Sequence, residues 1–201
     1  MIRLDPITLA HAAAVQTLAS HRLIAATSNV PHPYPSDGAA SWIRYTIAQR
    51  EQGHELNFAM IEIASDTLVG VCGVLNIEGR PRRGELGYWV GVPYWGRGYA
   101  SAAARHLVRH VFLEQGLDQL YSSCLVRNPA SRRVLEKTGF RHVGYGTHPN
   151  SKWGPQDRFA LFELTREEWL HESHEDNSTP RQNDRTTEQR SDETTTQEER
   201  V

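Results

Sequence analysis

Hydrophobic residues recur with two different periods over residues 1–170. Alternating or continuous apolar runs predict strands, and apolar residues three and four apart predict helices. The order is strand, helix, helix, three strands, helix, strand, helix, strand, strand, which indicates a mixed α/β (α+β) domain with an antiparallel meander at its centre. The predicted strands are 2–4, 56–64, 68–77, 85–92, 120–126, 141–145 and 159–164, and the predicted helices are 8–24, 36–52, 101–112 and 129–138.

The pattern stops after residue 170. Residues 171–201 contain one hydrophobic residue, Val201, with nine Asp or Glu and four Arg, a net charge of −5. Such a segment buries too little apolar surface to offset the entropy lost on ordering. The sequence therefore predicts a folded domain over 1–170 and a disordered, polar, acidic tail over 171–201. The domain has a net charge of +3, which is too small to indicate nucleic-acid binding.

The N-terminus and the cysteine content indicate a soluble cytoplasmic protein. Asp5-Pro6 interrupts the apolar core that a signal peptide requires, and no apolar run reaches the ~20 residues of a membrane span. Cys72 and Cys124 lie in apolar, strand-like runs, so we expect two reduced core thiols rather than a disulfide or a metal pair. His106 and His110 have a metal-compatible spacing, but a solvated helix face explains them better, and we expect no metal.

The strongest candidate for a functional site is a strand, a glycine-rich turn and a helix in succession. Glu85 to Val92 forms the strand, Trp95-Gly96-Arg97-Gly98-Tyr99-Ala100 forms the turn, and an alanine-rich helix follows. Glycine lets the backbone approach a bulky anion closely, and the first N–H groups of a helix have no intrahelical partner. The segment therefore predicts a phosphate-binding turn, although the same glycines would also suit a simple tight turn.

Two motifs about thirty residues apart resemble those of one family, the GCN5-related N-acetyltransferases (GNAT). Trp95 to Ala100 is similar to the acetyl-CoA pyrophosphate loop, Q/R-x-x-G-x-G/A, with Trp95 in place of the usual Gln or Arg. Asn128 to Phe140 is similar to the N-x-x-S-x-x-V-L-E-K-x-G-F segment of the RimJ/RimL branch, which acetylates ribosomal-protein N-termini. The resemblance covers about Met1 to Leu170.

The resemblance implies a GNAT fold, with a mixed, mostly antiparallel central sheet, helices on both faces and a splayed strand pair that binds acetyl-CoA. The strand before the turn would pair with the pantetheine arm, and a backbone N–H near Val90 would face the developing oxyanion. Asn128 has two interpretations, a pantetheine contact or a helix cap. The implied cofactor-binding residues are Tyr88, Trp89, Val90, Val92, Gly96, Arg97, Gly98, Tyr99, Ala100, Asn128 and Ser131.

The implied chemistry is direct attack of a neutral amine on the acetyl thioester, with Glu85 and Ser131 as catalytic residues. Glu85 is the leading base, acting directly or through water; the alternative is a surface carboxylate that pairs with Arg82 or Arg83. Many relatives protonate the thiolate with a Tyr at the position that Leu135 occupies here. In this chain Ser131 takes that role, as in the RimJ/RimL branch.

The preferred acceptor is a protein N-terminal amine, and His32, Tyr34 and Trp153 are the candidate substrate-binding residues. A small amine such as a polyamine, an amino sugar or an antibiotic is the alternative acceptor. A non-catalytic acyl-CoA-binding regulator is a rival from another class, whereas a nucleotide-binding module lacks its G-K-[ST] loop. We expect a monomer or homodimer, without nucleic-acid or membrane partners.

Overall fold

Seven strands and six helices make up the computed structural model, which describes residues 1–150 and 152–178. The strands are β1 (Ile2–Pro6), β2 (Leu56–Glu62), β3 (Thr67–Glu78), β4 (Arg83–Val90), β5 (Gln119–Leu125), β6 (Arg141–Gly146) and β7 (Phe159–Thr165). The helices are α1 (Ala12–Ala19), α2 (Arg22–Ala25), α3 (Gly38–Glu51), α4 (Tyr99–Leu113), α5 (Pro129–Glu136) and α6 (Arg166–Ser178).

The strands form one sheet in the order β1-β2-β3-β4-β5-β7-β6. All neighbouring pairs are antiparallel except β4 and β5, which are parallel. β2, β3 and β4 form the predicted meander, and α4 makes the crossover that a parallel pair requires. The prediction of a mixed, mostly antiparallel sheet is therefore confirmed.

Helices cover both faces of the sheet, and each face has its own apolar core. α4 buries Ala103, Leu107 and Val111 against one face, while α1 and α3 bury Val15 and Ile43 against the other. Because side chains alternate between the two faces of a strand, successive residues of β3 and β4 belong to different cores. No helix in the described residues is long and apolar enough to cross a bilayer.

The helix predicted over residues 8–24 is broken. A 3₁₀ turn (Leu9–His11) and α1 are followed by an extended residue, His21, with ψ 124°, before α2 begins. The His21 Nδ1 atom accepts the Leu23 N–H at 3.2 Å and so starts α2 as a separate helix. Hydrophobic periodicity does not reveal such a break, because the break depends on one side-chain hydrogen bond and not on the apolar pattern.

The helix α6 was not predicted. The Thr165 N–H donates to Glu168 Oε2 at 2.9 Å and Thr165 Oγ1 accepts the Glu168 N–H at 3.2 Å, which forms a capping box. The Trp169 ring then packs against Phe112 at 5.8 Å. The helix continues to Ser178, past the boundary expected at residue 170, and residues 179–201 of the expected tail lie outside the described residues.

The strands β4 and β5 separate shortly after they begin. Their parallel register runs from Arg83↔Gln119 to Glu85↔Tyr121 and stops there, although both strands continue. At the next position the hydroxyl of Ser122, which is buried, donates to the Leu86 carbonyl at 2.8 Å. A side chain therefore replaces the next ladder bond, and the expected splayed pair is present.

Truncating Phe112 tests the core beneath α4. Phe112 is fully buried, so Phe112→Ala should lower the free energy of unfolding by about 3–5 kcal/mol. Urea denaturation followed by circular dichroism measures the loss. Leu113→Ala, at the neighbouring residue of the same helix, is the matched control; Leu113 is 43% exposed and its truncation should cost less than about 1 kcal/mol. Equal losses for the two variants would contradict this packing.

Candidate active site

Two cavities meet at the gap between β4 and β5. The first, here called the glycine-turn cavity, has a volume of about 460 Å³ and lies between the start of α4 and α5. The second, here called the sheet cavity, has a volume of about 740 Å³ and lies over β2, β3 and β4 on the α1–α3 face. The residues that line both are Thr27, Ser28, Tyr88, Trp89 and Ser131.

The glycine turn has the geometry of an anion site. Gly96 and Gly98 have φ angles of 76° and 78°, a left-handed conformation that glycine adopts without strain. The first bond of α4 runs from the Ala102 N–H to the Gly98 carbonyl, so the N–H groups of residues 99–101 have no partner within the helix. These groups and the helix dipole suit a diphosphate at the mouth of the glycine-turn cavity.

Trp95 and Arg97 each contact residues next to the glycine turn. The Trp95 indole N–H donates to the Val90 carbonyl at 2.6 Å, which ties the turn to the end of β4. The Arg97 guanidinium faces Glu62 at 3.9 Å and lies over the Tyr94 ring at 5.6 Å. Trp95, the departure from the family pattern, therefore has a structural role here, and Arg97 stands outside the lining of the cavity.

The backbone of β4 faces the gap at every second residue. The Gly91 N–H donates to the Val69 carbonyl of β3, so odd-numbered residues of β4 bond toward β3 and even-numbered residues face β5. The Leu86 carbonyl accepts a hydrogen bond from the Ser122 hydroxyl, and the Val90 carbonyl accepts one from the Trp95 indole. The Tyr88 backbone lies between these two contacts, where an extended ligand could add as a strand.

Ser131 contacts Tyr88 at the junction of the two cavities. Ser131 Oγ lies 2.9 Å from the Tyr88 hydroxyl, so the two side chains can exchange a proton. Burial raises the pKa of Tyr88 well above its ordinary value, which keeps this hydroxyl protonated. Asn128 Oδ1 accepts the Ser131 N–H at 3.2 Å, so the helix-cap interpretation of Asn128 is correct, and Asn128 also lines the glycine-turn cavity.

Glu85 faces the sheet cavity rather than the solvent-exposed arginines. Its carboxylate accepts an N–H of Asn76 at 3.2 Å and lies 3.9 Å from His148 Nε2. Arg83 instead pairs with Glu78, so the surface-pair alternative is wrong for that arginine. Burial raises the pKa of Glu85, while the His148 charge and the Asn76 hydrogen bond lower it. The result is a shielded carboxylate suited to accept a proton.

The sequence pattern does not identify Asn76 as a residue of the site. It lies at an irregularity in the pairing of β3 with β4, and its φ of 52° is left-handed. This bend aims the amide at Glu85 instead of continuing the strand. The available signal was an asparagine near the end of an apolar run, since asparagine tolerates a left-handed backbone better than most residues do.

Residues 147–150 and 152–158 of the loop between β6 and β7, here called the roof loop, cover the sheet cavity. Lys152 Nζ donates to the carbonyls of Ala25, Ser28 and Val30, and the Trp153 indole donates to Asn29 Oδ1 at 2.8 Å. Burial lowers the pKa of Lys152. These bonds join the described residues of the roof loop to the segment after α2, so two distant parts of the chain close the cavity together.

Most of the predicted binding residues lie together. The glycine-turn cavity is lined by Tyr88, Trp89, Val90, Gly96, Gly98, Tyr99, Ala100, Asn128 and Ser131, but not by Val92 or Arg97. Tyr34 and Trp153 line the sheet cavity, whereas His32 lines a separate outer depression with Lys152. Two basic residues of α5 that were not predicted, Arg133 and Lys137, also line the glycine-turn cavity.

The cysteines and histidines form no metal cluster within residues 1–150 and 152–178. His110 pairs with Glu114 at 2.9 Å, in agreement with a surface role for this helix face. Cys72 and Cys124 are free and buried, as expected, but Cys124 also lines the sheet cavity.

The comparison with protein families agrees with this geometry. Residues 2–141 match the family described as the acetyltransferase (GNAT) domain. This chain belongs to the GNAT acetyltransferase family. The glycine turn, the split between β4 and β5 and the Asn128-capped helix are thus the parts of a GNAT domain as this sequence builds them.

Relatives of this GNAT domain act on several kinds of acceptor. The FsC-acetyl coenzyme A-N(2)-transacetylase of Aspergillus fumigatus is 38% identical over 96 residues, which cover 45% of this chain and 40% of that protein. The RimL ribosomal L7/L12 alpha-N-protein acetyltransferase, solved with coenzyme A, shares the fold with a TM-score of 0.74 and 17% identity over 82% of this chain and 93% of its own. The spermidine N-acetyltransferase of Vibrio cholerae, solved with CoA and spermine, has a TM-score of 0.72 and 18% identity over 84% and 98%.

The chain spans between 40% and 66% of the length of the first curated relatives that it matches. The two solved structures are too distant in sequence to show more than the fold. The comparisons therefore identify the fold and the family, and the choice of acceptor has to be argued from the residues that line the site.

The glycine turn can be tested with a matched pair of substitutions. Gly98→Asp should abolish acetyl-CoA binding, because a carboxylate would stand where the diphosphate needs free N–H groups. Gly53→Asp is the control, since Gly53 has nearly the same φ of 77° and open space around it but lies at the end of α3. Isothermal titration calorimetry on both folded variants measures the affinity. Unchanged binding in Gly98→Asp would remove the turn from the site.

Proposed function

We propose that this protein transfers the acetyl group of acetyl-CoA directly to a primary amine, preferably a protein N-terminal amine. The observation that carries the proposal is the meeting of the two cavities at one gap. The glycine-turn cavity would hold the donor, the sheet cavity would hold the amine, and Glu85 and Ser131 would stand on opposite sides of the reacting carbon.

Glu85 accepts the proton that the attacking amine loses, directly or through one water. An ammonium ion has no free electron pair, so it must be deprotonated before it attacks. The raised pKa of Glu85 increases its basicity, and the Asn76 and His148 contacts keep the carboxylate aimed at the cavity. A backbone N–H at the end of β4 near Val90 stabilises the developing oxyanion.

Ser131 protonates the leaving sulfur on the other side of the gap. Its hydroxyl gives its proton to the thiolate as the carbon–sulfur bond breaks, and the Tyr88 hydroxyl at 2.9 Å stabilises the Ser131 oxygen by a hydrogen bond. Solvent returns a proton to Ser131 and takes the amine proton from Glu85 before the next turnover. The Tyr88–Ser131 pair does the work that a single tyrosine at the position of Leu135 does in many relatives. Leu135 is fully buried in the apolar core and has no access to the gap.

The sheet cavity favours a cationic or neutral acceptor. Its described lining includes two carboxylates, Asp37 and Glu85, and no Lys or Arg, and its one histidine, His148, already faces Glu85, so an anionic amine would find no free counter-charge. Aromatic side chains, among them Tyr34 and Trp42, provide an apolar wall for the body of the acceptor. The motif around Ser131, which resembles that of the RimJ/RimL branch, supports a protein N-terminus as the preferred choice.

A small amine is the second candidate, and the roof loop is the observation that favours it. Lys152 and Trp153 tie this loop across the cavity, which limits the space for a polypeptide that continues beyond its first residues. A panel of N-terminal peptides, diamines and amino sugars, scored by release of free CoA, separates the two candidates. Tight acetyl-CoA binding without turnover of any amine would instead indicate a non-catalytic regulator.

Substitutions of Glu85 and Ser131 should affect the chemical step more than the binding of acetyl-CoA. Glu85→Gln and Ser131→Ala should each lower kcat by about 10²-fold or more, because general acid–base catalysis contributes that much. The acetyl-CoA affinity should fall less than kcat in both variants, since the glycine turn is unchanged, although Ser131 lines the glycine-turn cavity. Steady-state kinetics and calorimetry give the two numbers. Near-normal kcat in either variant would refute the role of that residue.

The pH dependence tests the contact between Asn76 and Glu85. The amide stabilises the ionised carboxylate, so its removal should raise the pKa of Glu85. Because Glu85 must be ionised to act as a base, the acidic limb of the kcat/KM profile should move to higher pH in Asn76→Gly, which preserves the left-handed backbone. Asp66→Gly, at another left-handed position (φ 53°) in a distant turn, should leave the limb in place. An unmoved limb in Asn76→Gly contradicts the contact.

A further inference from the structure

A row of residues crosses the floor of the sheet cavity. Asn57 of β2 lies opposite Gly73 of β3, and Gly73 lies opposite Gly87 of β4. Residues directly opposite each other in antiparallel strands share a face, so the Asn57 side chain lies beside two consecutive positions that have no Cβ. Glu85, two residues along β4, shares the same face. Glu85 and Asn57 therefore lie on the same face of the sheet, beside Gly73 and Gly87.

A buried carboxylate fixes the orientation of the Asn57 amide. Glu55 is 8% exposed, and its Oε2 accepts the Asn57 Nδ2–H at 2.9 Å. The amide nitrogen is thereby turned toward Glu55, and Oδ1 is turned over Gly73. A Cβ at Gly73 would lie 2.3 Å from Oδ1, so the absence of that atom is what makes room for this orientation.

The Asn57 oxygen is an acceptor that the cavity can use. Asn57 is 4% exposed and lines the sheet cavity, while Oδ1 has no hydrogen-bond partner within the described residues. The neighbouring floor is open, since a Cβ at Gly87 would meet only Leu75, at 3.7 Å. An unpaired carbonyl oxygen that opens on a cavity gains a hydrogen bond from a ligand that brings an N–H or O–H.

The span between the two groups follows from sheet geometry. Two strand spacings separate Asn57 from Gly87, about 10 Å, and Glu85 lies about 7 Å further along β4. The Asn57 Oδ1 atom lies over Gly73, one strand nearer to β4, so about 8 Å separates it from the Glu85 backbone. A substrate that contacts both groups is therefore short.

We propose that Asn57 determines acceptor specificity by accepting a hydrogen bond from a second donor on the substrate, close to the amine that Glu85 deprotonates. The proposal rests on the proposed acetyl transfer and narrows its acceptors to amines with a nearby N–H or O–H. The amide N–H of the second residue of a peptide, a hydroxyl and a second amine all qualify. A simple alkylamine does not.

Matched acceptors test the inference in the full chain. One pair is a peptide and the same peptide N-methylated at its second residue; the other is 3-aminopropanol and butylamine. Wild-type protein should prefer the donor-bearing member of each pair in kcat/KM. Asn57→Leu should reduce that preference by about tenfold, the effect expected for the loss of one hydrogen bond. The acetyl-CoA affinity, measured by calorimetry, should change less than twofold.

A second variant controls for misfolding of Asn57→Leu. Asn57→Leu leaves the Glu55 carboxyl buried without its partner, so Glu55→Leu/Asn57→Leu is measured as well, with circular dichroism as the check on folding. Equal losses for both members of each pair, or an unchanged preference with intact acetyl-CoA binding, overturn the role of Asn57 and leave the transferase proposal standing. A wild-type protein that turns over no amine overturns both.

Discussion

The site depends on one constraint, the early end of pairing between β4 and β5. A parallel pair normally continues its ladder for as long as both strands run, because unpaired backbone groups are costly to bury. Here the Ser122 hydroxyl satisfies the Leu86 carbonyl at the point where the ladder stops, and the Trp95 indole satisfies Val90 at the far end of β4. Side chains therefore hydrogen-bond two carbonyls at the edge of the gap, and the Tyr88 backbone between them stays open to a ligand.

The gap also joins the two faces of the sheet. Successive residues of a strand point to opposite faces, so Glu85 projects over the α1–α3 face and Tyr88 over the face that α4 and α5 cover. In a continuous sheet the backbone would separate a base on one face from a hydroxyl on the other. In the proposed transfer, the split in the sheet would let a reacting group contact Glu85 on one side and Ser131 on the other.

The sequence predicted the parts that local patterns encode. Apolar periodicity identified the meander and the strand–turn–helix unit, and the two motifs identified the family. It did not reveal contacts between distant segments. Lys152 binds the carbonyl of Ala25 across 127 residues, and Asn76 reaches Glu85 only because β3 bends out of register. The sequence places His32 beside Tyr34 in one proline-rich loop. In the structure, this loop directs His32 to a separate outer depression, whereas Tyr34 lines the sheet cavity.

Burial shifts the pKa of both Glu85 and Tyr88 upward through a single cause. Removing a carboxylate from water disfavours its charged form and raises its pKa, which increases the basicity of Glu85. The same effect on a phenol keeps Tyr88 protonated, so that its hydroxyl can donate a hydrogen bond to Ser131 Oγ. In the proposed transfer, Glu85 would then accept the proton of the amine on one side of the gap, and the Tyr88–Ser131 pair would face the leaving sulfur on the other. The covering roof loop matters for the same reason, because water that entered the gap would weaken both effects.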